Sequence, residues 1–194
     1  QRQAAADPGR LAPSHSPARL RATAHLYGVD SVPLEHARVL AIGCGDGAGL
    51  LPFALAHPQA QAVGIDASEA LVTQGTAAAQ RLGAANLRLY VGEAADIGTQ
   101  LGQFDYVIVT GLYSYLPAPA QQVLLQACGQ LLSPQGILYL DSHVYPGAKS
   151  LEVVRDAIML HGHAAQNDAE LRQSATAALY LFKDGLAASN PHAS

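Results

Sequence analysis

The sequence predicts a doubly wound α/β sheet of parallel strands, and three observations predict it. Five short apolar runs, VLAI (39–42), AVGI (62–65), LRLYV (87–91), FDYVIV (104–109) and ILYL (137–140), read as buried strands. Between them lie helical stretches near 50–57, 68–82 and 119–132, each with Pro, Ser or Gly at its boundaries. The first strand runs straight into Gly43, Gly45, Gly47 and Gly49 before the first of those helices begins. Such alternation gives a Rossmann-like sheet flanked by helices. The two chain halves must diverge from the first strand to leave a crevice at the glycine loop, so the expected strand order is 3-2-1-4-5.

Each element follows in turn. Residues 1–13 are small, polar and interrupted by Pro and Gly, and read as a flexible N-terminal arm before a domain over 14–186. Ser16 can cap a helix of about 17–27, with Pro17 at its first position, Gly28 past its end, and Leu20, Ala24 and Tyr27 as its apolar stripe. Pro58 stops the helix after the glycine loop, Ser68 and Gly83 bracket the next, and Pro119 and Pro134 bracket the third. Two more helices, about 149–162 and 168–183, follow the fifth strand, the second capped by Asn167 or Asp168 and closed by Gly185. The antiparallel strands that often complete such a sheet are therefore expected to be missing, which leaves strand five at an edge. Residues 187–194 read as a frayed tail.

Composition narrows the function. With 49% hydrophobic and 13% charged residues in 194, the chain can bury a core. Eleven Lys and Arg against fifteen Asp and Glu give a net charge of −4, and no basic run occurs. That argues against nucleic acid and membrane surfaces as partners. Two cysteines, Cys44 and Cys128, make no disulfide framework, so a cytoplasmic setting is expected. The chain opens without Met, and residue 1 reads as a boundary and not as a native start. Composition says nothing of oligomeric state.

The loop Gly43-Cys44-Gly45-Asp46-Gly47-Ala48-Gly49 carries the chemistry. Glycines let the backbone turn sharply and let a ligand approach, and a helix N-terminus after them offers N–H groups to an anion. The spacing alone is ambiguous. Gly43-x-Gly45-x-x-Ala48 fits a dinucleotide fingerprint, whereas Gly43-x-Gly45-x-Gly47 fits a methyltransferase loop. Asp66 ends the second strand, where a carboxylate can accept both hydrogens of a ribose diol. Both readings use it; the plainer alternative is that it caps the helix beginning near Ser68.

Downstream segments separate the two. Gly92-Glu93-Ala94 follows strand three, strand four ends in Val109-Thr110-Gly111, and Leu131-Leu132-Ser133-Pro134-Gln135-Gly136 leads into strand five. With VLAIGCGDG and VGIDAS, this ordered set resembles the motifs of class I S-adenosylmethionine-dependent methyltransferases over about 38–141. Ser14-His15-Ser16-Pro17-Ala18-Arg19-Leu20, Gly111-Leu112-Tyr113-Ser114-Tyr115-Leu116-Pro117 and Ser142-His143-Val144-Tyr145-Pro146-Gly147 narrow it. They look like the bacterial branch that carries a methyltransferase regulatory domain, similar to the rickettsial-type protein lysine methyltransferases.

The resemblance implies S-adenosylmethionine as cofactor and S-adenosylhomocysteine as product. It implies that Gly43, Gly45 and Gly47, with Cys44 and Asp46 between them, line the methionine part of the cofactor. Asp66, with Ala67 beside it, would hold the ribose, Glu93 and Ala94 would border the adenine, and Thr110 and Gly111 would close the pocket floor. Two positions depart from the pattern: Ala41 stands where the family usually has an acid, and Gln135 where it usually has a second glycine.

Methyl transfer from a sulfonium needs alignment and, for a protonated acceptor, a base. Tyr113, Tyr115, His143 and Tyr145 follow the carboxyl ends of strands four and five, the edge where open α/β sheets bind ligands. His143 can act as base, and the tyrosines can orient an amine or frame an alkylammonium with their ring faces. Packing alone is the competing reading for each. His161 and His163 lie two apart on different helix faces, so no metal is expected. Three functions follow. They are methyl transfer to a protein lysine or a small molecule, a catalytically silent cofactor-binding module, and a nicotinamide-dependent oxidoreductase.

Overall fold

The computed structural model of the chain describes residues 15–93 and 101–185. The expected arm over 1–13, the first residue of the expected domain, Ala94 and the tail 187–194 lie outside the described residues. Two compact units divide between Ser142 and His143.

The first unit is built on a parallel sheet of β1 (Arg38–Ile42), β2 (Gln61–Asp66), β3 (Leu87–Val91), β4 (Phe104–Val109) and β5 (Leu132–Leu140). Its order is β3-β2-β1-β4-β5, as expected from the diverging halves. Helices α1 (Pro17–Leu26), α2 (Leu51–Ala56), α3 (Glu69–Arg81) and α4 (Ala118–Leu131) accompany the strands. Parallel strands need such crossovers. The inner strands β1, β2 and β4 are buried on both faces, whereas the edge strands are not: β3 buries only Leu87 and β5 is half-buried to exposed, which corrects the expectation of five buried strands.

Alternation along β1 sends its side chains to two cores. Val39 and Ala41 join Leu20 of α1, Phe53 and Ala54 of α2 and Ala79 of α3 on one face. Leu40 and Ile42 join Val63, Ile65, Val107 and Val109, closed over by Leu124, Cys128 and Leu131 of α4, on the other. Each large apolar side chain removed from water in this way contributes about 1.5–3 kcal/mol before chain entropy is counted. At the N-terminal edge, Arg38 ties the strands laterally. Its backbone N–H donates to Asp105 Oδ2 at 2.8 Å, and its guanidinium donates to the carbonyls of Gln103 and Leu101, each at 2.7 Å. The sheet's opposite, C-terminal edge carries the glycine loop.

Local chemistry accounts for most boundaries. Ser16 caps α1 by accepting the Arg19 N–H, and Ser68 caps α3 by accepting the Leu71 N–H. Two expectations need correction. Tyr27 is 83% exposed and takes no part in the α1 stripe, because the helix ends at Leu26 and Tyr27 is already its C-cap. β5 begins at Leu132, well before the expected Ile137. Leu132 pairs with Phe104, but Tyr106 next pairs with Ile137, so Ser133–Gly136 form a bulge in an edge strand. Gly136 suits it, since a Cβ there would lie 2.9 Å from Ser133 O and 3.0 Å from Phe104 O. Gln135 is exposed, so the bulge needs no second glycine.

The second unit contains α5 (Lys149–His161) and α6 (Asp168–Gly185). Gly162 ends α5, where an added Cβ would stand 2.7 Å from Leu171 Cδ1 of α6. Asn167 caps α6 by accepting the Glu170 N–H at 3.0 Å. Among the described residues no strand follows β5, in line with the expected loss of the antiparallel strands, and no helix is long and apolar enough to cross a membrane.

Candidate functional site

The loop after β1 is a sequence of tight turns, and three of its glycines make them possible. Gly43, Gly45 and Gly47 have φ of +73°, +59° and +72°, a region L-residues with a Cβ avoid. Gly47 shares the left-handed conformation of Gly43 and Gly45, and Ala48 does not. The loop is anchored at its start, where Gly43 and Cys44 both donate to Ile65 O at 2.8 and 3.1 Å. An Asx-turn closes its middle, with Ala48 N–H donating to Asp46 Oδ1 at 3.1 Å.

Packing holds the loop from behind. A Cβ on Gly75 of α3 would lie 2.0 Å from Asp46 O, and one on Gly64 of β2 would lie 2.7 Å from Cys44 Sγ. These two glycines let the helix and the strand approach the loop backbone, and the sequence reading passed over both. An isolated glycine in a strand or a helix was the available signal. Burial, with the Asp66 carboxylate as a lesser contributor, pushes the Cys44 thiol up to about 12. The thiol is therefore neutral packing material at physiological pH.

Asp66 stands at the end of β2 and reaches across to this loop. Its Oδ2 accepts the Gly45 N–H at 2.8 Å and its Oδ1 accepts the Ser68 N–H at 2.9 Å. The carboxylate thus organises the start of α3, as the plainer sequence alternative expected, and it also ties that strand end to the glycine loop, a bond the sequence did not suggest. Two bonds leave lone pairs on both oxygens for further donors. A Cβ added at Gly45 would meet nothing within 4 Å, so this stretch of backbone faces open space beside the carboxylate. Ala67 is exposed next to it, and Glu93 is exposed just beyond β3. Ala94 is outside the described residues.

The expected helix N-terminus is the weaker part of the site. α2 has six residues, and the N–H groups of Leu50 and Leu51 donate to Gly47 O at 2.9 and 3.1 Å. They serve the turn and are not presented to an anion. Ala41 is packed in the core, in register with Gly64 on one side and Ile108 on the other.

On the other half of the same edge, Thr110 is half-buried and Gly111 is exposed with φ +62°. Gly111 N–H donates to Asp141 Oδ1 at 2.8 Å, a contact with no precedent in the sequence reading. A 3-10 turn, Tyr113–Tyr115, follows; Tyr113 packs against the α4-side core and Tyr115 is 53% exposed. In the second unit, His143 is exposed and Tyr145 is 63% exposed. The Tyr145 hydroxyl donates to Glu152 Oε1, and that bond holds its pKa above the ordinary value of 10.0. Residues of the first unit therefore gather Gly43–Gly47, Asp66, Thr110, Gly111 and Tyr113 along one sheet edge, while His143 and Tyr145 belong to the second.

Residues 39–136 match the family model described as a methyltransferase domain. An uncharacterized Rickettsia prowazekii protein is 31% identical over 174 residues, covering 89% of this chain and 70% of that protein. The solved structure of PKMT2 from Rickettsia typhi in complex with AdoHcy is similar with a TM-score of 0.75 at 30% identity, covering 91% of this chain. The ubiquinone biosynthesis O-methyltransferase of Acinetobacter baumannii is 32% identical over 108 residues, 54% of this chain and 43% of that enzyme. This chain spans 34% of the PKMT2 chain. It belongs to the methyltransferase-domain family and has the class I fold of S-adenosylmethionine-dependent methyltransferases.

Proposed function

We propose that the chain binds S-adenosylmethionine along the C-terminal edge of β1 and β2 and serves methyl transfer to an amine, with a protein lysine as the first acceptor to test. The observation that carries the reading is the meeting of three positive-φ glycines with the Asp66 carboxylate at one edge. The residues fit the group: open backbone at Gly45 admits a ligand, and Asp66 retains acceptor capacity for a ribose diol. When bound, S-adenosylmethionine supplies an electrophilic methyl group on its sulfonium. Gly43, Cys44, Gly45, Asp46 and Gly47 would line the methionine part, Ala67 would flank the ribose, Glu93 and Ala94 would border the adenine, and Thr110 and Gly111 would floor the pocket.

The likeness to PKMT2 supports a lysine acceptor, and the likeness to an O-methyltransferase keeps a small-molecule acceptor as the runner-up. An amine must be neutral to attack, so a base is needed and His143 is the candidate. Tyr113 is the candidate for orienting the acceptor. Tyr145 donates its hydroxyl hydrogen to Glu152, so it would meet an acceptor's N–H or O–H with its oxygen lone pairs. Ala41 favours a second reading, a module that binds cofactor without turnover, since the core there holds no acid to order the loop.

Isotope-labelled S-adenosylmethionine incubated with lysine-rich protein acceptors separates these readings, with methyl-lysine read by mass spectrometry. Labelled lysine that declines by about 10²–10⁴-fold in His143→Ala supports transfer with His143 as base. Calorimetric binding of S-adenosylhomocysteine without any turnover supports the silent module instead. Absence of both overturns the proposal.

A further inference from the structure

We propose that Asp141 is a positioning residue for the transferase: it clasps the Gly111 N–H and thereby fixes the loop that carries Tyr113 and Tyr115. The proposal rests on the methyl-transfer reading above and deepens it.

The β4–β5 ladder reaches its last register pair at Val109 and Leu140. Asp141 N–H still donates to Val109 O at 3.1 Å, after which the backbones part. One step further on, the side chain replaces the backbone, and Asp141 Oδ1 accepts the Gly111 N–H at 2.8 Å. The carboxylate thus carries the lateral connection past the end of the strands. Gly111 is where the chain leaves β4 with φ +62°, so the bond holds the loop at its turning point.

The far end of the same loop is held as well. Gln121 of α4 donates through Nε2 to Tyr113 O at 3.0 Å and to Leu116 O at 3.1 Å. Residues 111–116 are therefore pinned by one side chain where they enter and another where they leave. Between the pins lie the two tyrosines at the edge where the fold binds its ligands. A loop fixed at both ends keeps its side chains aligned without reorganisation, and misplacement by about 1 Å can cost on the order of 10²-fold in rate.

The arrangement repeats the one on the cofactor half. Asp66 at the end of β2 accepts the N–H of Gly45, and Asp141 after β5 accepts the N–H of Gly111, both at 2.8 Å. In each case the carboxylate stands at the carboxyl end of one strand, and the left-handed glycine lies just past the end of the strand paired with it. A charge-assisted bond of this type is stronger than an amide–carbonyl bond and suits a place where the ladder has run out.

Two variants test it on the whole chain, with kcat and KM for the acceptor, S-adenosylhomocysteine affinity, and hydrogen exchange of the 110–116 segment as readouts. Asp141→Ala removes the acceptor atom, and Asp141→Asn keeps one. Expected for Asp141→Ala are a kcat lower by about 10–100-fold, faster exchange in 110–116, and S-adenosylhomocysteine affinity within about twofold of the parent. Asp141→Asn should recover most of the rate and the slow exchange. A parent-like kcat in Asp141→Ala, equal exchange in all three proteins, or no recovery in Asp141→Asn overturns the proposal. If the parent chain shows no turnover with any acceptor, the methyl-transfer reading fails, and the exchange comparison still decides the clasp.

Discussion

The two carboxylate clasps sit at the same edge of one sheet, yet they are built to different depths. Asp66 uses both oxygens, one on Gly45 and one on Ser68, and the loop it holds is backed by α3 through Gly75 and by β2 through Gly64. Asp141 bonds Gly111 through one oxygen, and a Cβ added at Gly111 would meet nothing within 4 Å. The backbone of the glycine loop is therefore fixed by close packing against Gly75 and Gly64 as well as by hydrogen bonds, whereas the loop beyond β4 is held by hydrogen bonds at its ends and by the side chains of Leu112, Tyr113 and Leu116 on the α4-side core. A common donor can be met by a rigid site, whereas acceptors that differ between enzymes are met by loops that can change without disturbing the core.

The sharpest break in this contrast is at Gly75. Gly75→Ala places a methyl group 2.0 Å from Asp46 O, and a backbone carbonyl cannot move aside without taking the loop with it. Thermal unfolding should show a loss of about 3 kcal/mol, and S-adenosylhomocysteine affinity should fall with it. The same substitution at Gly129 of α4 meets nothing within 4 Å, so it should stabilise by about 0.5–1 kcal/mol through helix propensity alone. Equal effects at the two glycines would refute the idea that the loop is packed from behind.

Gly111→Ala comes next in size. Space is open there, so only the left-handed backbone is penalised, at about 1–2 kcal/mol. Stability and acceptor turnover should respond while S-adenosylhomocysteine affinity holds. A loss of cofactor affinity as large as that of Gly75→Ala would erase the difference between the halves.

The smallest effect is alkaline. Burial pushes Cys44 up to about 12 and Cys128 up to about 11, from an ordinary value of 9.0. The folded state holds these protons more tightly than the unfolded chain does. The associated stability is complete below pH 9 and declines as pH rises from 9 toward 11 and 12. Denaturant midpoints should fall over that range, less steeply in Cys44→Ala, and neither thiol should react with iodoacetamide in the native protein at pH 8.

Much of this was legible in the chain itself, for identifiable reasons. Apolar runs of four to six residues between Pro, Ser and Gly boundaries mark β1, β2 and β4 because the inner strands of a parallel sheet are buried on both faces, and the run at β3 marks a strand although the edge leaves most of it exposed. The start of β5 is not legible, because Pro134 reads as the boundary of the preceding helix, while the edge of a sheet tolerates it with Gly136 in a bulge. Gly43, Gly45 and Gly47 were visible because three glycines in five residues have few other uses. Gly75 and Asp141 were not, since their roles depend on which backbone comes near, a tertiary fact. Asp66 was half visible: its position was read from the strand end, whereas its bond to Gly45 joins residues 21 apart.

Calorimetry on Asp66→Ala tests the central claim most directly. The parent chain should bind S-adenosylhomocysteine and not NAD. Removing the carboxylate should weaken S-adenosylhomocysteine by about 1.5–3 kcal/mol, the range for a hydrogen bond to a charged group. An affinity unchanged by the substitution, or a parent chain that binds NAD in preference, would contradict the account.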